Sequence, residues 1–175
     1  GLGPSFDVVL ETGSSRHAGT GSLVMKTGNS AESRAGSVAI AVGKSAAEDG
    51  AVITLRSGDS EAVSTRGGDL IARAGDGLNT DAADGGDGGN ILLQAGSAHG
   101  TGKDDIGGAV DVLAGDSIVG NGGKISLQAG QSVQGSSGSV EVLTKDAGES
   151  GVSGHVSVAT GIASGGASGS IVLST

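Results

Sequence analysis

The sequence predicts an all-β chain, a parallel β-solenoid of eleven repeats of about 15 residues, and three observations carry that expectation. Apolar residues alternate with period two in short runs, the runs recur at a near-constant interval, and glycine brackets almost every run. Strict alternation in runs rich in β-branched residues is the pattern of a strand with one buried face, and it is not a helical period.

The runs are DVVLETG, SLVMKTG, SVAIAVG, ITLRSG, DLIARAG, NILLQAG, VDVLAG, KISLQAG, VEVLTK, HVSVATG and SIVLST. Their first apolar row is Val8, Leu23, Val38, Ile53, Leu70, Ile91, Val110, Ile125, Val140, Val156 and Ile171, with spacings of 15, 15, 15, 17, 21, 19, 15, 15, 16 and 15. A second row follows two residues later, from Leu10 to Leu173. A third row holds small or β-branched residues: Thr12, Thr27, Val42, Ser57, Ala74, Ala95, Ala114, Ala129, Thr144, Thr160 and Thr175. Fixed-period self-similarity of this kind is the signature of a repeat architecture, and one repeat domain over residues 1–175 is expected.

Glycine stands two residues before the first row in nine of eleven runs, and directly after the third row in nine of the ten runs with a following residue. The expected reason is the positive φ of a tight corner. The second residue beyond the closing position is always small (Ser15, Ser30, Ser45, Ser60, Gly77, Ala98, Ser117, Ser132, Ala147, Ala163), which reads as a corner packed against a neighbouring coil. Two coils fit the spacing: one repeat per narrow coil, or strands alternating between two facing sheets. The two-sheet form is favoured because it buries inward rows against each other at about 10 Å.

Composition limits function. The chain has 37 Gly, one Phe and no Trp, Tyr or Cys, so a bulky compact core and disulfides are both excluded. Its single Pro and lack of a three-residue glycine period exclude collagen. A net charge of −9 disfavours a nucleic-acid partner, and no apolar run is long enough to span a membrane.

GGKISLQAGQS, GGDLIARAGD and SGSVEVL resemble the glycine-bracketed repeats of filamentous-haemagglutinin-type adhesins. GSVAIAVGKSA is similar to the head repeats of trimeric bacterial adhesins, and the Gly/Ser-rich pattern as a whole resembles repeat regions of large algal and oomycete surface proteins. The resemblance implies a secreted or surface-displayed rod, extracellular in location, with no catalytic residues to carry over.

No enzyme motif is present. GKS at Gly43–Ser45 lacks the first glycine of a phosphate loop, there is no G-x-S-x-G elbow, and His17, His99 and His155 have no ligand spacing. An ice-binding face would need an outward threonine row, whereas the threonines lie in the third inward row. The three longest spacings, 17, 21 and 19, place insertions in the connectors at about 59–68, 76–88 and 97–107. Asp76, Asp81, Asp84 and Asp87 fall there and are the expected weak Ca²⁺ site, since hard cations take several carboxylate oxygens. No other cofactor is expected.

The outward positions are unusually apolar. Val9, Val24, Ile71, Leu92, Leu113 and Leu143, with Ile171 and Leu173 at the end of the chain, form an expected assembly surface. Because the array begins and stops without a capping element, it is expected either to continue or to stack copies end to end. The functional expectation is a structural or adhesive extracellular segment, a rod or filament subunit; the alternative is a calcium- or surface-binding module acting through the acidic insertions.

Overall fold

The computed structural model describes residues 5–175, and it corrects the expected fold. Among the described residues there is no helix and no β-strand, so the chain is neither all-β nor a parallel solenoid with two facing sheets. Phe6, Val8 and the rest of the apolar rows are exposed, and no described residue is fully buried. The accessible surface is 17948 Å², against about 7,500 Å² for a folded monomer of this mass and about 24,000 Å² for its unfolded chain. Most of the area that folding would cover is therefore uncovered.

The physical reason is that period-two alternation dictates an extended backbone with two faces, while a sheet also requires a partner backbone about 4.8 Å away along the whole run. This chain meets that requirement at single points only. Gly68 N–H donates to Gly58 C=O at 2.9 Å, and Gly89 to Gly75 at 2.9 Å. Gly108 to Gly96 (2.9 Å), Gly123 to Gly115 (2.8 Å) and Gly138 to Gly130 (2.9 Å) repeat the bond. Each joins the glycine that closes one apolar run to the glycine that opens the next. No second rung follows the first, so no ladder forms.

The connector between two bonded glycines is thus a closed loop of the Ω kind, pinched at its base. The three insertions leave the base unchanged. Residues 59–67, 76–88 and 97–107 are all spanned by the same bond that closes the shorter loops at 116–122 and 131–137. Within the loops the chain bends once, for example at 16–18, 31–33, 46–48, 118–120 and 133–135.

Side-chain size decides which bases close. In the five closed loops the third-row residue is Ser57, Ala74, Ala95, Ala114 or Ala129, and these five are the most sheltered of the described residues. A Cβ added to the opening glycine would lie 3.4 Å from the Cβ of Ser57, Ala74, Ala95 or Ala129, and 3.3 Å from that of Ala114. Where the third row is Thr12, Thr27 or Thr160, the threonine side chain stands 3.5–3.7 Å from the same point and no glycine–glycine bond is formed; after Thr144 the closing residue is Lys145 and not glycine. The larger side chain accompanies the unbonded base, and at Thr27 its hydroxyl donates instead to Gly36 C=O at 3.2 Å.

This corrects the reading of the bracketing glycines. No described glycine has positive φ; the only described residue that does is Ser64, at 61°. The opening glycines serve the close approach of two backbones, not a left-handed corner.

By Cα proximity the chain divides into two units, Gly1–Asn90 and Ile91–Thr175. The first holds the closed loops at Gly58–Gly68 and Gly75–Gly89, and the second those at Gly96–Gly108, Gly115–Gly123 and Gly130–Gly138.

Candidate assembly surface and acidic loops

Alternation survives without a core. First-row residues after Val8 are the better sheltered, down to 49% exposed at Ile53 and 50% at Ile125. The outward row is more open: Val9, Val24, Ile71 and Leu92 are exposed, and Leu113 and Leu143 reach 84% and 81%. Of the two terminal members of the expected surface, Leu173 is almost wholly exposed and Ile171 only about as exposed as the rest of the first row.

The same outward phase carries charge. Glu11, Lys26, Arg56 and Arg73 sit three residues after the first row, Asp111 and Glu141 one residue after it, and Asp7, Asp69 and Lys124 one before it. Arg56 is ion-paired with Asp59 across the closing glycine, and Arg73 with Asp76 at 2.6 Å in the same way. Arg66 lies 3.9 Å from Asp69. Asp7, Glu11, Lys26, Asp111, Lys124 and Glu141 make no ion pair among the described residues.

The loops are organised by side-chain oxygens. Ser15, Ser30, Ser45, Ser117 and Ser132 each accept a hydrogen bond through Oγ from the backbone N–H three residues on, at Ala18, Ser33, Glu48, Gly120 and Gly135, over 2.8–3.3 Å. These serines are exposed, so at these five places the small residue serves as an acceptor and does not pack against another coil; Gly77, Ala98, Ala147 and Ala163 at the same position have no such oxygen. The sequence signal was present: serine at one fixed place ahead of a bend is the pattern of a hydroxyl-capped turn.

In two insertions an aspartate takes over. Asp105 Oδ2 accepts from Gly102 N–H at 2.7 Å. Asp81 Oδ1 accepts from Ala83 N–H at 2.8 Å and from Asp84 N–H at 3.3 Å, while Asn79 Oδ1 accepts from Asp81 N–H at 2.9 Å and Asn79 C=O from Gly86 N–H at 3.1 Å. The bonds from Ala83 and then Asp84 hold the Asp81 carboxyl below the usual range. Gly77 is required at the base of this loop, because a Cβ there would fall on the Gly86 carbonyl.

Of the expected calcium ligands, Asp76 faces Arg73 and Asp81 faces its own backbone; Asp84 and Asp87 lie on the same loop. Among the described residues no three acidic or histidine side chains converge closely enough to hold a metal ion. No cavity is present among them, and no helix is long and apolar enough to cross a membrane.

Comparison with protein-family models, with curated proteins and with solved structures returns no match.

Proposed function

We propose that the chain is a structural, self-associating repeat segment, a subunit of an extracellular rod or filament that works through repetition and lateral or end-to-end contact. The single observation that supports this most is the exposure of the apolar residues in all eleven runs, none of which is buried by any described residue. A stable interface between two proteins covers about 1,200–2,000 Å², and the surface here exceeds that of a folded monomer of equal mass by roughly 10,000 Å². Exposed apolar stripes of that extent mark contact surfaces.

The connectors fit the same role. Most of their polar loops carry a hydroxyl or carboxylate cap of their own, and the three insertions are closed by the same glycine–glycine bond as the shorter loops.

Sedimentation velocity across a concentration series, with electron microscopy of the same samples, tests the reading. Concentration-dependent large species that persist in chelator support it. A monomer at every concentration, or species that appear only with added Ca²⁺, overturns it.

A further inference from the structure

Of the four asparagines in the chain, Asn29, Asn79, Asn90 and Asn121, only Asn121 is followed by glycine. It lies in the loop of residues 116–122 that the bond from Gly123 to Gly115 closes, and both Asn121 and Gly122 are exposed. The amides on either side of this pair are held. Gly120 N–H donates to Ser117 Oγ at 2.9 Å, and Gly123 N–H to Gly115 C=O at 2.8 Å. Between them, the amide of Gly122 and the side chain of Asn121 make no hydrogen bond among the described residues. A Cβ on Gly122 would come no nearer than 3.8 Å to another residue, so nothing crowds its nitrogen.

The backbone nitrogen after an asparagine can close a five-membered ring on the side-chain carbonyl carbon. A branched side chain on the following residue hinders that closure, as does a hydrogen bond that occupies its amide, whereas glycine allows the backbone rotation that closure needs. The other three asparagines lack these features. Asn79 and Asn90 precede the β-branched Thr80 and Ile91, Asn79 Oδ1 already accepts from Asp81 N–H at 2.9 Å, and Asn29 precedes Ser30. Gln134–Gly135 occupies a loop of the same length, but its ring would have six members and Gly135 N–H donates to Ser132 Oγ at 2.8 Å. The Asp-Gly pairs at 49–50, 76–77, 84–85 and 87–88 present carboxylates, which are poorer electrophiles than a neutral amide.

We infer that Asn121 is a site of spontaneous covalent modification, and that its product releases the loop closure beside it. The nitrogen of Gly122 attacks Cγ of Asn121. The new N–Cγ bond forms as the Cγ–Nδ2 bond breaks, and Nδ2 leaves as ammonia with the proton given up by the Gly122 amide. Water then opens the ring at one of its two carbonyl carbons. Addition at Cγ restores the normal backbone with an aspartyl side chain; addition at the backbone carbonyl leaves the main chain running through Cβ and Cγ, an isoaspartyl link. Water is the only co-reactant, and no group is oxidised or reduced. The isoaspartyl link adds a main-chain carbon inside a loop of seven residues. The loop base has little room to absorb it, since a Cβ on Gly123 would already stand 3.1 Å from Gly115 N.

The test ages the full chain in neutral buffer and follows each asparagine by peptide mass spectrometry, with electron-transfer fragmentation to separate isoaspartyl from aspartyl products. Hydrogen exchange of the Gly123 amide is read by NMR on the same samples. Conversion at Asn121 is expected to be at least about ten-fold faster than at Asn29, Asn79 or Asn90, and Gly122→Ala is expected to remove that excess. As isoaspartyl accumulates, the Gly123 amide of the converted chains is expected to exchange about five-fold faster, as loss of one backbone hydrogen bond would make it. Freshly prepared Asn121→Asp, which carries the charge without the extra main-chain carbon, is expected to keep the protection. Similar rates at all four asparagines, or an unchanged rate in Gly122→Ala, overturns the site. Conversion that leaves Gly123 protected, or equal loss of protection in Asn121→Asp, overturns the coupling to loop closure. Both readouts are independent of self-association, so neither result turns on whether copies of the chain assemble.

Discussion

The amide of Gly123 lies 2.8 Å from the carbonyl oxygen of Gly115, across a loop of seven residues, and the side chain that permits this is the methyl of Ala114. A Cβ on Gly123 would stand 3.1 Å from Gly115 N and 3.3 Å from Ala114 Cβ, whereas a Cβ on Gly115 would meet nothing within 4 Å. The two glycines of one hydrogen bond are therefore not equivalent.

Gly123→Ala should open its loop and Gly115→Ala should not. A net contribution of about 1 kcal/mol for such a bond corresponds to roughly five-fold faster exchange of the amide at 123. Hydrogen exchange read by NMR checks both variants; equal effects would refute the steric account.

The third row should act as a size gate. Ala129→Thr places a γ-methyl at the base of the loop closed by Gly130 and Gly138, and the Gly138 amide is expected to lose its protection. Conversely, Thr27→Ala should let Gly36 N–H reach Gly28 C=O, a bond absent in the native chain. Temperature coefficients of the two amides report the change directly.

The 79–86 turn should be insensitive to pH until strongly acid conditions. Hydrogen bonds from Ala83 and Asp84 lower the Asp81 pKa from its ordinary 3.8. The stabilisation is fully present above that ordinary value and is lost as pH falls through the lowered one. The amide shifts of Ala83 and Asp84 should titrate together, with a midpoint below 3.8, and Asp81→Asn should abolish the titration.

Much of the organisation was legible in the residues. The phase of the alternation is still visible in the greater shelter of Ile53 and Ile125 relative to Leu113 and Leu143. The insertions fall in the connectors, where spacings of 17, 21 and 19 put them. Sheet formation was not legible, because alternation reports the conformation of one run and carries no information on whether a second backbone lies alongside it. Thr27 and Ala129 looked interchangeable as small third-row residues, yet the base is open at one and closed at the other. Of the acidic candidates, Asp76 and Asp81 could not be recognised from composition as already engaged, since their partners Arg73 and the 83–84 amides are set by local chain geometry.

The central claim is that the exposed apolar rows are covered by other copies of the chain. Sedimentation velocity of wild type beside a Leu92→Ser, Leu113→Ser, Leu143→Ser triple variant, in chelator, tests it most directly. The account predicts large species for the wild type above a threshold concentration and a shift of that threshold by at least about ten-fold in the variant, from the loss of apolar contact at roughly 25 cal/mol per Å². Identical sedimentation of the two chains at all concentrations would contradict it.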